Sequence, residues 1–202
     1  MIAIADYGAG NMASVGKALA FLGETPVITG DPDEIKKADK VIVPGVGAFE
    51  DAMKKMNNLG LVKTLREYAA SGRPIFGICL GLQLFFESSE ESQENVEGLG
   101  LLPGKLVKFP EKEGFKIPHM GWNSLHIKEG SRLFAGIHDE SYVYFVHSYY
   151  LQAKNEEDVA ATSEYIVPFH AAVESGNIFA TQFHPEKSGE VGLSILKNFL
   201  NL

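Results

Sequence analysis

The single cysteine of the chain, Cys79, lies in the segment Gly77-Ile78-Cys79-Leu80-Gly81, between an apolar run ending at Ile78 and another beginning at Leu80. Glycines two places before and after a nucleophile are typical of a sharp strand-to-helix turn, because neighbouring Cβ atoms would clash there. A thiol at a helix start faces unpaired N–H groups and the positive end of the dipole, which favour the thiolate that attacks carbonyl carbon. Ordinary packing is the alternative, since free cysteine is among the most buried residue types.

The second segment with residues suited to chemistry is His184-Pro185-Glu186, near the C-terminus. Pro185 favours extended angles for His184, and residues i and i+2 of an extended chain project to the same face. The spacing therefore predicts a general base, His184, whose tautomer is fixed by the carboxylate of Glu186. A surface loop with unrelated side chains is the alternative. Because Cys79 lies at a predicted strand-to-helix turn, or elbow, His184 is its favoured catalytic partner among the six histidines of the chain.

The fold that would position these residues is indicated by strands that alternate with helices over residues 1–88. Each strand is nearly continuously apolar, which indicates a parallel sheet covered on both faces, a doubly wound α/β fold. Sites in such sheets lie beyond the carboxyl ends of the strands. We therefore expect the loops 6–11 and 44–48 to converge with Cys79 in one crevice.

The predicted elements follow from periodicity and from capping residues. Predicted strands are 1–5, 25–29, 41–43 and 74–78, and predicted helices begin at Met12, at Pro32 and near Phe49 and Leu61, with a last helix over 189–202. Residues 88–98 are acidic and polar and are expected to form a surface loop. Beyond them the segments 99–109, 115–127, 141–152, 158–166 and 169–183 are expected to be strands, some extending the central sheet and others forming a smaller antiparallel layer.

Composition limits the function classes. The 202 residues, 45% of them hydrophobic, suit one domain over 1–202. The formal net charge of −8 argues against broad binding to nucleic acid or to an anionic membrane, and no apolar run approaches the length of a membrane span. The single cysteine excludes an intramolecular disulfide, so we expect a cytoplasmic protein. The histidines are too scattered to predict a metal site.

Five motifs together resemble the triad-type glutamine amidotransferases, and the resemblance covers essentially the whole chain. They are Asp6-Tyr7-Gly8-Ala9-Gly10-Asn11, Pro44-Gly45-Val46-Gly47-Ala48-Phe49, Gly77-Ile78-Cys79-Leu80-Gly81-Leu82-Gln83, Pro118-His119-Met120-Gly121-Trp122-Asn123 and His184-Pro185-Glu186-Lys187-Ser188. Within that family the combination is similar to the glutaminase subunits of imidazole glycerol phosphate synthases. The segment 118–123 is the most discriminating of the five.

The resemblance implies a flavodoxin-like sheet and a Cys79, His184 and Glu186 triad that hydrolyses glutamine to glutamate and ammonia without a cofactor. It assigns the oxyanion donors to the backbone of Leu80 and to the Val46-Gly47 loop. It further implies that Gln83 and the backbone of Ser148 and Tyr149 hold the amino-acid end of glutamine. The residues expected to face a cyclase partner, a (β/α)₈ barrel that receives the ammonia for histidine biosynthesis, are Asn11, Met120, Trp122, Asn123 and Lys187. No role is assigned to His119 or His147.

Two other functions stay open on the residues alone. One is a stand-alone cysteine hydrolase or peptidase built on the same sheet. The other is a catalytically inactive regulatory subunit that keeps the fold. Measuring ammonia release from glutamine distinguishes an amidotransferase from the stand-alone hydrolase. Replacing Cys79 distinguishes an active enzyme from the inactive subunit, because only an active enzyme would lose turnover.

Overall fold

The fold is organised around an 11-stranded mixed sheet, and a separate two-stranded sheet lies beside it. The structure is a computed structural model that describes residues 1–202. The strands are β1 (Ile2–Ala5), β2 (Val27–Thr29), β3 (Lys40–Gly45), β4 (Ile75–Cys79), β5 (Ser88–Ser89), β6 (Gly104–Lys108), β7 (His119–Ser124), β8 (His126–Ile127), β9 (Tyr142–His147), β10 (Tyr149–Ala153), β11 (Val159–Tyr165), β12 (Val167–Ser175) and β13 (Ile178–Thr181). The helices are α1 (Met12–Phe21), α2 (Pro32–Lys37), α3 (Phe49–Asn58), α4 (Leu61–Ala70), α5 (Leu80–Leu84) and α6 (Gly189–Leu200).

The N-terminal half confirms the predicted alternation of strands and helices. Strands β2, β1, β3 and β4 lie side by side and pair in parallel, and β13 from the second half of the chain pairs in parallel with β4. Alternate strand residues enter two different cores: Ala3 and Ala5 pack with α2, α3 and α4, whereas Ile4 packs with α1 and α6. A strand with both faces covered must be apolar throughout, which explains why these segments show no polar alternation.

The second half extends the sheet with antiparallel strands, as expected, but the strand boundaries differ from the prediction. The segment 115–127 does not form one strand: β7 pairs with β9 in the small sheet, and β8 pairs with β11 in the large one. The segment 141–152 is likewise divided at Ser148, because β9 and β10 belong to different sheets. Apolar periodicity runs through both divisions, so periodicity could not locate them. The predicted loop 88–98 also contains the two-residue strand β5.

None of the helices has the length and apolar character needed to cross a membrane.

Candidate active site

Cys79 ends β4 and immediately precedes α5, at the carboxyl end of the parallel strands. Its backbone angles are φ 54° and ψ −104°, in a region that L-residues rarely occupy. Strain of this kind persists only where the surrounding structure enforces it. The side chain is 6% exposed and lines a cavity, which is the placement that the elbow spacing predicts.

The glycines on either side of Cys79 are required by close backbone approaches. A Cβ on Gly81 would lie 1.8 Å from the carbonyl oxygen of Val43 on β3, and one on Gly77 would lie 2.7 Å from the carbonyl oxygen of Gly81. Only glycine lets α5 begin this close to β3 and β4. The helix has five residues, so the elbow fixes the position of the sulfur more than it supplies a long helix dipole.

His184 and Glu186 form the predicted pair, although not through an extended chain. His184 has extended angles, but Pro185–Lys187 is a 3₁₀ turn, whose first position suits the fixed φ of proline. Nδ1 of His184 lies 2.7 Å from Oε1 of Glu186, and both side chains are fully buried. Because a carboxylate oxygen only accepts, Nδ1 carries the proton that Glu186 receives, and Nε2 takes no part in this hydrogen bond.

The second ring nitrogen connects this pair to the cysteine. Nε2 of His184 is buried and has no hydrogen-bond partner. Burial lowers the pKa of His184, but the adjacent Cys79 sulfur and Glu186 carboxylate outweigh it and raise the pKa to about 9. The protonated form of the His184 ring is therefore favoured at neutral pH. Catalytic hydrogen bonds are often long in a free enzyme and shorten when substrate binds.

The cavity at the sulfur has a volume of about 330 Å³, at the lower end of the range typical of small-molecule sites. Its walls come from five parts of the chain: the loop after β3, the elbow with α5, the acidic loop after β5, Pro118 just before β7, and the junction of β9 with β10. They include the predicted residues Val46, Gly47, Cys79, Leu80, Gln83, Ser148 and Tyr149. The structure thus brings the predicted oxyanion and substrate residues together around one space.

The Val46-Gly47 loop lines this space. Its N–H groups donate to no backbone acceptor, and Gly47 has φ 114°, which favours glycine. The loop is supported from below by Tyr7, whose hydroxyl donates to the carbonyl of Pro44 at 2.7 Å. Burial, together with the nearby Cys79, raises the pKa of Tyr7, so its hydroxyl stays protonated and remains a donor. Sequence reasoning assigned no role to this tyrosine.

Glu91 is a second residue that sequence reasoning missed. It lines the cavity, and its Oε2 accepts a hydrogen bond from the N–H of Phe49 at 2.8 Å, the start of α3. A carboxylate at this wall suits the ammonium group of an amino acid. Glu91 lies in the acidic segment 88–98, and nothing in the residue pattern separates it from its solvent-facing acidic neighbours.

His119 and His147 are buried next to the cavity and hydrogen-bonded to each other, Nδ1 to Nε2, at 3.0 Å. Nδ1 of His147 donates to the carbonyl of Tyr149 at 2.8 Å, so its Nε2 accepts and His119 is the donor. Burial lowers the pKa of His119 to about 4. For His147, burial together with the neighbouring His119 and His184 outweighs the Tyr149 carbonyl and lowers the pKa to about 3. This neutral pair braces the turn that carries Ser148.

The five residues expected to face a partner lie in different settings. Met120 and Trp122 are 63% and 56% exposed on one face of β7. Asn123 instead donates to the carbonyl of Glu164 at 2.8 Å, which ties its side chain to β11. Asn11 is half-buried and donates to Oε1 of Glu186 at 2.7 Å, which makes it a neighbour of the triad. Lys187 is exposed in the 3₁₀ turn that carries Glu186.

Comparison with known proteins identifies the family. Residues 3–202 match the family described as "Glutamine amidotransferase class-I". The chain belongs to this family. It is 51% identical over 199 residues to the imidazole glycerol phosphate synthase subunit HisH of Listeria monocytogenes serotype 4a, covering 98% of this chain and 94% of that protein. It is 50% identical over 203 residues to the subunit of the same name from Methanosarcina barkeri, covering 100% and 98%.

Solved structures agree on the fold. A crystal structure of a glutamine amidotransferase superposes with a TM-score of 0.77 at 19% identity, covering 99% of this amidotransferase and 97% of that chain. A structure of PurLQS from Thermotoga maritima superposes with a TM-score of 0.75 at 22% identity, with the same coverage of both chains. The α/β fold with its mostly parallel central sheet is therefore confirmed.

Proposed function

We propose that this amidotransferase is the glutaminase subunit of an imidazole glycerol phosphate synthase, which hydrolyses glutamine and passes the ammonia to a cyclase partner in histidine biosynthesis. The observation that carries the proposal is the meeting of Cys79, His184 and Glu186 at one end of the sheet, beside a cavity of about 330 Å³. Identity of about half the residues to HisH subunits, over nearly the full length of both chains, supports the choice of pathway.

The first half of the reaction forms a thioester. The Cys79 sulfur attacks the side-chain amide carbon of glutamine, and the N–H groups of the Val46-Gly47 loop and of Leu80 stabilise the negative oxygen that develops. The tetrahedral intermediate then collapses: His184 gives its proton to the amide nitrogen, the C–N bond breaks and ammonia leaves. Glu186 holds the imidazole and stabilises its charged form throughout.

The second half regenerates the enzyme. His184, now neutral, takes a proton from water, and the resulting hydroxide adds to the thioester carbon. The C–S bond breaks, its electron pair returns to the sulfur, and glutamate is released. No change of oxidation state occurs in either half, so acyl transfer by these side chains accounts for the whole conversion.

The partner and the compartment belong to the same proposal. We expect the cyclase to be a (β/α)₈ barrel that docks against the face carrying Met120 and Trp122, within the cytoplasm. Ammonia that escaped into water at neutral pH would be protonated and would lose its nucleophilic lone pair. A docked partner that receives ammonia directly avoids that loss.

The test is glutamine hydrolysis by the parent and by Cys79→Ser, each alone and with the cyclase and its nucleotide substrate. Glutamate and ammonia are measured directly. We expect turnover by the parent complex and a loss of about 10³-fold or more in the variant, because removal of a catalytic nucleophile can lower kcat by about 10⁶-fold. Unchanged turnover in Cys79→Ser would refute the proposal. Cleavage of other amides or esters without cyclase-linked turnover would favour a stand-alone hydrolase.

A further inference from the structure

A chain of side-chain amides leads from β10 to the sulfur of Cys79. Gln83 on α5 donates from Nε2 to the carbonyl of Tyr149 at 3.5 Å and to Oε1 of Gln182 at 3.2 Å. Nε2 of Gln182 then donates to Sγ of Cys79 at 3.8 Å. Gln182 is 0% exposed, so its amide is shielded from bulk solvent. The two halves of the proposed reaction assign no role to this buried amide.

The direction of these hydrogen bonds is fixed at one end by a backbone carbonyl. A carbonyl oxygen only accepts, so Tyr149 requires the NH₂ group of Gln83 to face it. The second hydrogen of that NH₂ group then requires the oxygen of Gln182. The NH₂ group of Gln182 is left facing the sulfur. The orientation of both amides therefore follows from the chemistry of Tyr149, not from a choice between two equivalent rotamers.

We propose that Gln182 is a catalytic residue, whose amide N–H stabilises the thiolate of Cys79, and that Gln83 positions Gln182 for this contact. The proposal rests on the proposed function, in which this sulfur is the nucleophile. A thiolate accepts a hydrogen bond more strongly than a thiol, so a fixed donor increases the ionised fraction at neutral pH. When the thioester is hydrolysed, the C–S electron pair returns to the sulfur, and the same donor stabilises the leaving thiolate.

Other titratable groups also surround the sulfur. The protonated ring of His184 favours the thiolate, and the carboxylate of Glu91 on the cavity wall opposes it. The hydroxyl of Tyr7 and the ring of His147 are held neutral by burial. Because His184 is adjacent to the sulfur, the pH profile of alkylation reflects the protonation of both groups. The contribution of Gln182 is therefore measured as the difference between the alkylation profiles of the parent and of the Gln182 variants.

The experiment measures alkylation of the free protein by iodoacetamide as a function of pH, followed by intact mass. Cys79 is the only cysteine in the chain, so the added mass reports this sulfur alone. Gln182→Met keeps the length of the side chain and removes the donor, and Gln182→Glu places a carboxylate against the sulfur. Gln152→Glu makes the same charge change on an exposed residue of β10 and serves as the matched control.

We expect the pH profile to move upward by about one unit in Gln182→Met, which slows alkylation about tenfold on the low-pH side. The shift is larger in Gln182→Glu and absent in Gln152→Glu. Above the thiol pKa the variant rates match or slightly exceed the parent rate, because a more basic thiolate is more nucleophilic. Gln83→Met, which frees the Gln182 amide to rotate, gives a smaller shift in the same direction.

Three results would overturn the proposal: superimposed profiles, a downward shift, or a change by one constant factor at every pH. The last of these would indicate altered access rather than altered ionisation. Circular dichroism establishes which variants fold, and Gln83→Met decides the matter if neither Gln182 variant does. Alkylation does not require glutamine hydrolysis. If the Gln182 variants alkylate as the parent does, the Gln182 proposal fails but the proposed glutaminase function is unaffected. If the Gln182 variants shift the profile but the parent complex does not hydrolyse glutamine, the proposed function fails instead.

Discussion

The imidazole of His184 lies between two groups that favour its charged form, and this determines how activity should depend on pH. Although burial opposes the charge, Cys79 and Glu186 together raise the pKa to about 9. The imidazolium donates the proton that releases ammonia, so kcat/KM for glutamine should fall as pH rises through about 9. In Glu186→Gln the stabilising charge is gone, and we expect the fall to begin at lower pH.

The measurement is the pH dependence of kcat/KM for parent and Glu186→Gln, with the cyclase present. In Glu186→Gln the oxygen of the new side-chain amide can still accept from Nδ1 of His184, so the orientation of the ring is kept while the negative charge is removed. A high-pH limb at the same position in both proteins would show that Glu186 does not control the ionisation of His184.

Asn11 illustrates a residue whose sequence interpretation and structural position differ. Its amide donates to Oε1 of Glu186 at 2.7 Å, and its backbone has φ 84°. Asn11→Gly tolerates that angle and removes only the amide, whereas Asn11→Asp sets a carboxylate against Glu186. We expect kcat to fall about tenfold or more in Asn11→Gly and further in Asn11→Asp, since a hydrogen bond to a charged group contributes about 1.5–3 kcal/mol.

The isolated subunit is the place to measure this effect, because a partner contact by Asn11 would otherwise contribute. Steady-state glutamine hydrolysis separates kcat from KM for both variants. An equal loss in the two variants would mean that repulsion of the Glu186 carboxylate plays no part. A change in KM alone would indicate that Asn11 acts on substrate rather than on the triad.

At the scale of elements, the elbow depends on how closely α5 approaches β3. A Cβ on Gly81 would lie 1.8 Å from the carbonyl oxygen of Val43, a backbone atom that cannot move aside cheaply. We expect Gly81→Ala to lower the free energy of unfolding by about 1–3 kcal/mol or more and to displace Cys79 enough to abolish hydrolysis. Gly16→Ala on α1 meets only ordinary contacts and is the matched control. Urea unfolding that places both variants at the parent midpoint would contradict this.

The parallel half of the fold was predictable from local pattern, whereas the division of 141–152 into two strands and the positions of Glu91 and Gln182 were not. Strands covered on both faces must be apolar throughout, and Asp31 with Pro32 marks a helix start, so β1 to α5 follow from local pattern. The division at Ser148 depends on which sheet each strand joins, a long-range choice that alternation does not record. Glu91 reaches the cavity and Gln182 reaches the sulfur of Cys79 only through that tertiary arrangement.

The cross-strand pair of His119 and His147 makes the small sheet sensitive to acid. Burial lowers the pKa of His119 to about 4, and burial with neighbouring charge lowers that of His147 to about 3. In the unfolded chain both titrate near 6.5, so below about that pH the unfolded state binds more protons and stability falls. The contribution of the neutral pair is fully present above about 6.5 and is lost as pH falls toward the folded values.

Urea unfolding at about pH 7.5, 6 and 5 tests this dependence. In His147→Gln the side-chain amide can still donate to the carbonyl of Tyr149 but cannot take up a proton in this range. We expect the variant to lose less stability than the parent between neutral and acid pH. Parallel pH dependences in the two proteins would rule out the histidine pair as the source.

At the scale of the whole molecule, the exposed apolar face of the small sheet indicates a surface that binds a partner. Met120, Trp122 and Tyr142 are all more than half exposed there, although the fold buries most other large apolar side chains. A contiguous apolar surface of this kind marks an interaction site, and buried tryptophans dominate the energetics of many interfaces. Because β9 carries Tyr142 of this face and also Val146 and His147, which line the cavity, the apolar face and the cavity wall share one strand.

We therefore expect Trp122→Ala to weaken binding of the cyclase by about 30-fold or more, the effect of losing about 2 kcal/mol at an interface centre. The matched control is Phe21→Ala, since Phe21 is an aromatic residue 77% exposed at the end of α1, on another part of the surface. Titration calorimetry of each variant with the cyclase gives the dissociation constants. If Trp122→Ala binds as the parent does while Phe21→Ala binds more weakly, the partner docks on the α1 surface, and ammonia must then travel around the sheet to reach it.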